Sequence, residues 1–208
     1  IMIRKNKYIK IYKNKFKIFI FIWVILFIFL YIFKNYSFSI RIASFIFGFL
    51  IFHFFGEAFD LEFKKIHYFY ISIILIFSIL LSPLYYYYEL YDKILHLIMP
   101  IISSIILFYI VDWLDIDFGR KLFITFTFSL TILVLLETGE YLFDIFWDFK
   151  TQGVYVRDIT GLSKYKIILG QNDDTMIDLI LGIAGTLIFM AGKTICYFYN
   201  KKLKTKKA

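Results

Sequence analysis

The sequence predicts an all-α fold, a polytopic integral membrane bundle of about six transmembrane helices. Three observations carry that expectation. The 208-residue chain is 61% hydrophobic with a mean hydropathy of +0.74, well above the roughly 45–50% apolar content of soluble domains. Apolar runs of membrane length recur along the whole chain with short polar stretches between them, a pattern that a soluble core does not need. The basic residues gather beside those runs.

The chain opens with "IMIRKNKYIKIYKNKFK", a basic stretch before an apolar run at 16–33. No small-residue cleavage site follows, so a retained first helix is expected in place of a removed signal. Further spans are expected at 38–55, 66–81, 94–111, 123–143 and 175–199. Several barely reach the length that a hydrocarbon core of about 30 Å demands, and flanking aromatics such as "LYYYYELY" after Pro83 fit an interfacial belt. No internal repeat or Gly/Ser-rich linker interrupts the chain, so residues 1–208 read as a single transmembrane domain with basic ends at 1–15 and 200–208.

Charge then orients the bundle. Of the 24 Lys and Arg residues, 17 fall on the side that holds the N-terminus, the loop 55–66, Arg120, Lys121 and the C-terminal tail, against 7 on the other side. The positive-inside rule therefore puts both termini in the cytoplasm of a multi-pass plasma-membrane protein. The same placement explains the net charge of +8 without nucleic acid as a partner; membrane lipids are the partners expected. Cys196 is the single cysteine, which excludes an intrachain disulfide and a cysteine-based zinc site.

With this topology three spans bring ionisable residues to one depth near the extracytoplasmic face. The stretch "YDKILH" sets Asp92 and His96 one turn apart on the fourth span. "ETGEYLFD" sets Glu137, Glu140 and Asp144 along one stripe of the fifth. "QNDDTMID" sets Asp174 and Asp178 one turn apart on the sixth, with Asp173 beside them. Capping of a helix N-terminus accounts for Asp173 and Asp174 as well as a site does, and Asp92 and Asp144 fit solvated interface charges equally well. Glu137, Glu140, Asp178 and His96 lie deeper in their apolar runs, where a charge is costly and ordinarily faces the protein interior.

Four chemistries suit that inner quartet. Carboxylates with an imidazole could hold a divalent metal ion, pass protons, move a cation across the bilayer, or hold helices together by hydrogen bonds. The spacing admits all four. His96, Glu137, Glu140 and Asp178 are thus the first metal-ligand candidates, with Asp92, Asp173 and Asp174 behind them. Elsewhere, His53 and Glu57 read as an interfacial pair and His67 as an interfacial residue beside Lys64 and Lys65. Gly182 and Gly185 read as close-packing positions, and the outward stretch 144–172 reads as either a plain connection or a cover for the acids.

These motifs resemble the YjdF-like inner-membrane family, related in pattern to VanZ-like proteins. The resemblance covers about residues 91–187. Asp92 and His96, Glu137 and Glu140, Gln171, Asp173, Asp174, Thr175 and Asp178 occupy its matching positions. Tyr141 stands where a tryptophan often follows the second glutamate, Asn172 replaces a glycine, and Asp173 and Asp174 are adjacent where intervening residues are usual. The resemblance implies a fold and a polar site without a reaction, and the VanZ-like association with glycopeptide resistance implies a cell-envelope setting. The leading expectation is a site for a divalent metal or lipid headgroup, open to lipid-linked or anionic small-molecule substrates. The alternatives are a proton- or cation-coupled transporter and a structural protein whose polar cluster only joins helices. Enzyme activity, the oligomeric state and the identity of any metal are left open.

Overall fold

The computed structural model describes residues 21–26, 28, 31–32, 36–147, 150–157 and 164–205. Its elements are α1 (Tyr36–Ala58), α2 (Lys65–Leu75), a π-turn (Ile76–Leu80), a 3-10 turn (Ser82–Tyr86), α3 (Tyr91–Val111), α4 (Phe118–Trp147), a hairpin of β1 (Val154–Arg157) and β2 (Tyr165–Leu169), and α5 (Gln171–Thr205). Among the described residues, α1, α3, α4 and α5 are long and apolar enough to cross a membrane, and the apolar helix Lys65–Leu80 is shorter. Of the first expected span, 16–33, only residues 21–26, 28 and 31–32 are described, and these are helical. The basic stretch 1–15 and residues 206–208 lie outside the described part.

The chain divides into two compact units, Ile1–Lys64 with Ile71–Leu81, and Lys65–Tyr70 with Ser82–Ala208. In the first, Ile42, Phe45 and Phe49 form the buried face of α1. Gly48 lets the Leu75 side chain come close, since a Cβ there would sit 2.8 Å from it. Phe52 stacks on Phe63 at 4.3 Å, and α1 ends at a left-handed Asp60, where the Leu61 amide donates to the Gly56 carbonyl.

The second unit packs α3, α4 and α5 against one another, α3 most extensively against α5. Each helix contributes one stripe at helical spacing. On α4 the buried positions are Leu122, Thr125, Ser129, Leu133 and Glu137. On α5 they include Asp174, Asp178, Gly182, Gly185 and Thr186. The acids therefore end the same stripes that hold the helices together, which is why they face inward. The other faces leave residues such as Phe123, Leu135 and Ile195 exposed, an apolar surface that suits lipid and not water. Ser104 and Ser129 share a buried hydrogen bond of 2.7 Å between α3 and α4. His67, expected at an interface, is buried against the Tyr109 ring at 4.0 Å.

Two local features shape the α3–α5 seam. Pro100 lies inside α3 and has no N–H for the His96 carbonyl four residues earlier. Gly185 lies against α3 so closely that a Cβ would land on the Leu97 carbonyl. The stretch 144–172, for which a plain connection was one expectation, is more structured than that. Helix α4 runs on to Trp147, and β1 pairs antiparallel with β2, Val154 opposite Leu169 and Arg157 opposite Tyr165, with a bulge after Val154.

Gly185→Ala should destabilise the protein although alanine is the better helix former, because the obstructing atom is backbone and cannot swing away; overpacking of this kind costs about 1–3 kcal/mol. Gly192→Ala, with nothing within 4 Å of the added methyl, should not lower stability. Thermal denaturation in detergent compares the two, and equal midpoints would contradict the close α3–α5 approach.

Candidate functional site

At the hairpin end of the second unit, α3 supplies Asp92, Lys93 and His96 from its first two turns. Asp174 and Asp178 come from the first two turns of α5, and Glu137, Glu140 and Asp144 from the last three turns of α4. Asp178 is 0% exposed, Asp174 1% and Glu137 5%. Charges are buried this deeply only where partners replace the lost water.

Lys93 is the principal partner. Its ammonium donates to both oxygens of Asp178, at 2.8 and 2.7 Å, to Asp92 at 3.2 Å and to Asp174. It thereby ties α3 to two successive turns of α5. His96 lies beside this group, its Nε2 3.5 Å from Asp92 Oδ1 and its Nδ1 3.5 Å from Glu137 Oε1. That Glu137 oxygen is fully buried and has no hydrogen-bond partner. Glu140 takes part in no ion pair among the described residues, and its carboxyl group feels Asp92, Glu137, Asp174 and Asp178. Among the described residues, Lys93 thus pairs with three of the five carboxyl groups gathered here, Asp92, Asp174 and Asp178, and leaves Glu137 and Glu140 without a lysine. The surplus negative charge is an electrostatic demand for a further cation or for protons.

The base of the hairpin closes over the acids. Asp144 accepts from the Thr151 amide at 2.7 Å, the Thr151 hydroxyl at 2.8 Å and the Gln152 amide at 3.0 Å. The Gly153 amide donates to Asp174 at 2.6 Å, and the Gln152 side chain donates to the Thr175 hydroxyl at 3.1 Å. Gly153 has φ +86, a conformation that glycine adopts without penalty, so its amide can turn toward the carboxylate. From the 3-10 turn, the Tyr85 hydroxyl donates to the Thr151 carbonyl at 2.9 Å and to the Gly153 carbonyl. Burial first, then the Asp92, Asp174 and Glu140 carboxylates, pushes the Tyr85 phenol above its ordinary value, which keeps it a donor.

The structure brings His96, Glu137, Glu140, Asp178, Asp92 and Asp174 together and leaves Asp173 exposed. One oxygen each of Asp92 and Asp178 and one nitrogen of His96 lie within 4.8 Å of one another, a set able to hold a metal ion. Lys93, one of the seven basic residues on the less basic side of the sequence, is a site residue that the motifs do not single out. Its position next to Asp92, at the start of a span, was the available signal. Tyr85, Thr151, Gln152 and Gly153 have no sequence signal, because they lie outside the helices and reach the site only through the fold of the hairpin and the 3-10 turn. His53 and Glu57 lie 3.8 Å apart, the pair expected from their spacing.

A family model described as "Predicted membrane protein (DUF2238)" matches residues 4–201. No curated protein and no solved structure matches the chain.

Asp174 accepts Lys93 on one oxygen and Gly153 on the other, so Asp174→Asn must turn an amide donor toward one of these two donors. Leaving such a buried group mismatched costs about 2–4 kcal/mol, and the denaturation midpoint should fall by at least about 5 °C. Asp173→Asn, on the exposed side of the same turn, should leave the midpoint in place. Equal behaviour of the two variants would refute the inward role of Asp174.

Proposed function

The chain belongs to the DUF2238 family of predicted membrane proteins, and we propose that it binds a divalent metal ion in the acidic pocket at the hairpin end of α3, α4 and α5. The observation that carries this reading is the approach of Asp92, His96 and Asp178, whose ligand atoms lie within 4.8 Å of one another. Two carboxylates and one imidazole suit Mn²⁺, Fe²⁺ or Zn²⁺ better than Ca²⁺, which takes oxygen ligands. Three protein donors leave coordination positions for water or for a ligand's oxygen.

Glu137 has a distinct part in this reading. Metal-bound histidines commonly donate their second ring nitrogen to a carboxylate, which fixes the tautomer and raises ligand basicity. With Nε2 toward Asp92 and the metal, Nδ1–H points to the buried Glu137 oxygen that otherwise has no partner. Glu140 and Asp174 lend negative charge without contacting the ion.

The location supports a role at the membrane surface. The pocket occupies the first turns of α3 and α5, beside exposed Tyr87 and Tyr88 and below a hairpin that carries Arg157 and Lys166. A metal ion with open positions, together with these cations, suits the phosphate of a lipid headgroup or lipid-linked substrate in an envelope role. The distribution of Lys and Arg supports a topology with this end outside and both termini inside. Reporter fusions in the hairpin should therefore read extracytoplasmic and fusions at the C-terminus cytoplasmic; the reverse would overturn the sidedness.

Mn²⁺ or Zn²⁺ should raise the denaturation midpoint of the purified full-length protein, and a chelator should reverse the rise. Asp178→Asn should abolish the effect, while Glu137→Gln should weaken metal affinity by about 10–100-fold. Acidification should weaken binding, because the carboxylates must be ionised and His96 neutral to ligate. An unchanged midpoint with every metal would refute the reading and leave helix bonding or proton handling as the role of the cluster.

A further inference from the structure

Resting on the metal reading, we infer that Lys93 is a tethered countercation: its ammonium bonds to two of the carboxylates that would ligate the metal and must leave them for the ion to bind. The geometry is direct. Both Asp178 oxygens and one Asp92 oxygen, two of the three proposed ligand groups, already accept hydrogen bonds from Lys93 at 2.7–3.2 Å. A divalent ion at coordinating distance from those carboxylates would lie within a few ångströms of the ammonium, and two cations so placed repel strongly where little water screens them. The two occupants exclude one another.

Lys93 has somewhere to go. It is the third residue of α3, near the end of the span, and its flexible four-carbon stem lets the charged head move without moving the helix. Asp174 already holds the ammonium and is not one of the three ligand groups. Arrival of the metal therefore transfers Lys93 from Asp92 and Asp178 to Asp174.

This arrangement sets selectivity. A site open for only a small fraction of the time binds its ligand more weakly by that fraction. A monovalent ion gains nothing over the lysine charge already present, so Na⁺ and K⁺ should not displace it. A divalent ion adds a second charge and imidazole ligation, and it can.

Two measurements on the full-length protein in detergent test the inference, with Mn²⁺ as the probe. Lys93→Met should bind Mn²⁺ at least about tenfold more tightly than wild type, as expected when a competitor occupying the site nine-tenths of the time or more is removed. In wild type, acylation of Lys93 by an amine reagent, read by mass spectrometry against Lys121 at the opposite end of the bundle, should rise several-fold when Mn²⁺ is added. The second measurement stands even where Lys93→Met fails to fold, and it separates displacement from a simple loss of positive charge. Mn²⁺ binding with unchanged Lys93 labelling would overturn the inference alone, as would equal or weaker binding by a folded Lys93→Met. Absence of Mn²⁺ binding in both proteins would overturn the metal reading and this inference with it.

Discussion

At one end of three apolar helices, the described residues include six carboxyl groups and one ammonium; the hairpin holds Asp144, and the packing around the other five follows from that imbalance. Lys93 satisfies Asp92, Asp174 and Asp178 at once, which neutralises part of the charge and draws α3 onto α5. Without that lysine, two nearly inaccessible aspartates would lose their charged partner, a costly change at this burial. The Gly185 approach to the Leu97 carbonyl and the hairpin's bonds to Asp144 and Asp174 are built around the same meeting point.

Most of the fold was legible because hydropathy and lipid obey the same energetics. The spans expected at 38–55, 94–111, 123–143 and 175–199 became α1, α3, α4 and α5. Helices α1, α4 and α5 run beyond the expected spans at both ends and α3 at its start, since polar residues such as Asp92, Asp144 and Asn172 can be helical without being lipid-facing. The span at 66–81 became the shorter α2 with its π-turn. The hairpin was not legible: glycine and lysine in the stretch 144–172 mark a loop, while pairing of Val154 with Leu169 depends on where α4 and α5 deliver its ends.

The site was legible in outline for a similar reason. A carboxylate one turn from another on an apolar helix has to face inward, so Asp174 with Asp178 and Glu137 with Glu140 could be matched across helices far apart in sequence. Spacing could not tell Asp173 from Asp174, because adjacent residues at a helix start are equally good caps; only the packing against α3 made one buried and left the other exposed. Lys93 escaped notice because a lysine at the end of a membrane span has an ordinary explanation. The orphaned Glu137 oxygen has no sequence signature at all.

The Lys93 contacts to Asp174 and Asp178 link residues 81 and 85 positions apart. Helix α3 leaves the ribosome long before α5 exists, carrying an acid, a lysine and a histidine with no finished partners. During synthesis its first turns must rest in the headgroup layer, where water serves them, and complete their burial only when α5 follows. A chain truncated before Gln171 would expose these groups permanently, and membrane proteases would meet a helix whose polar end never docked.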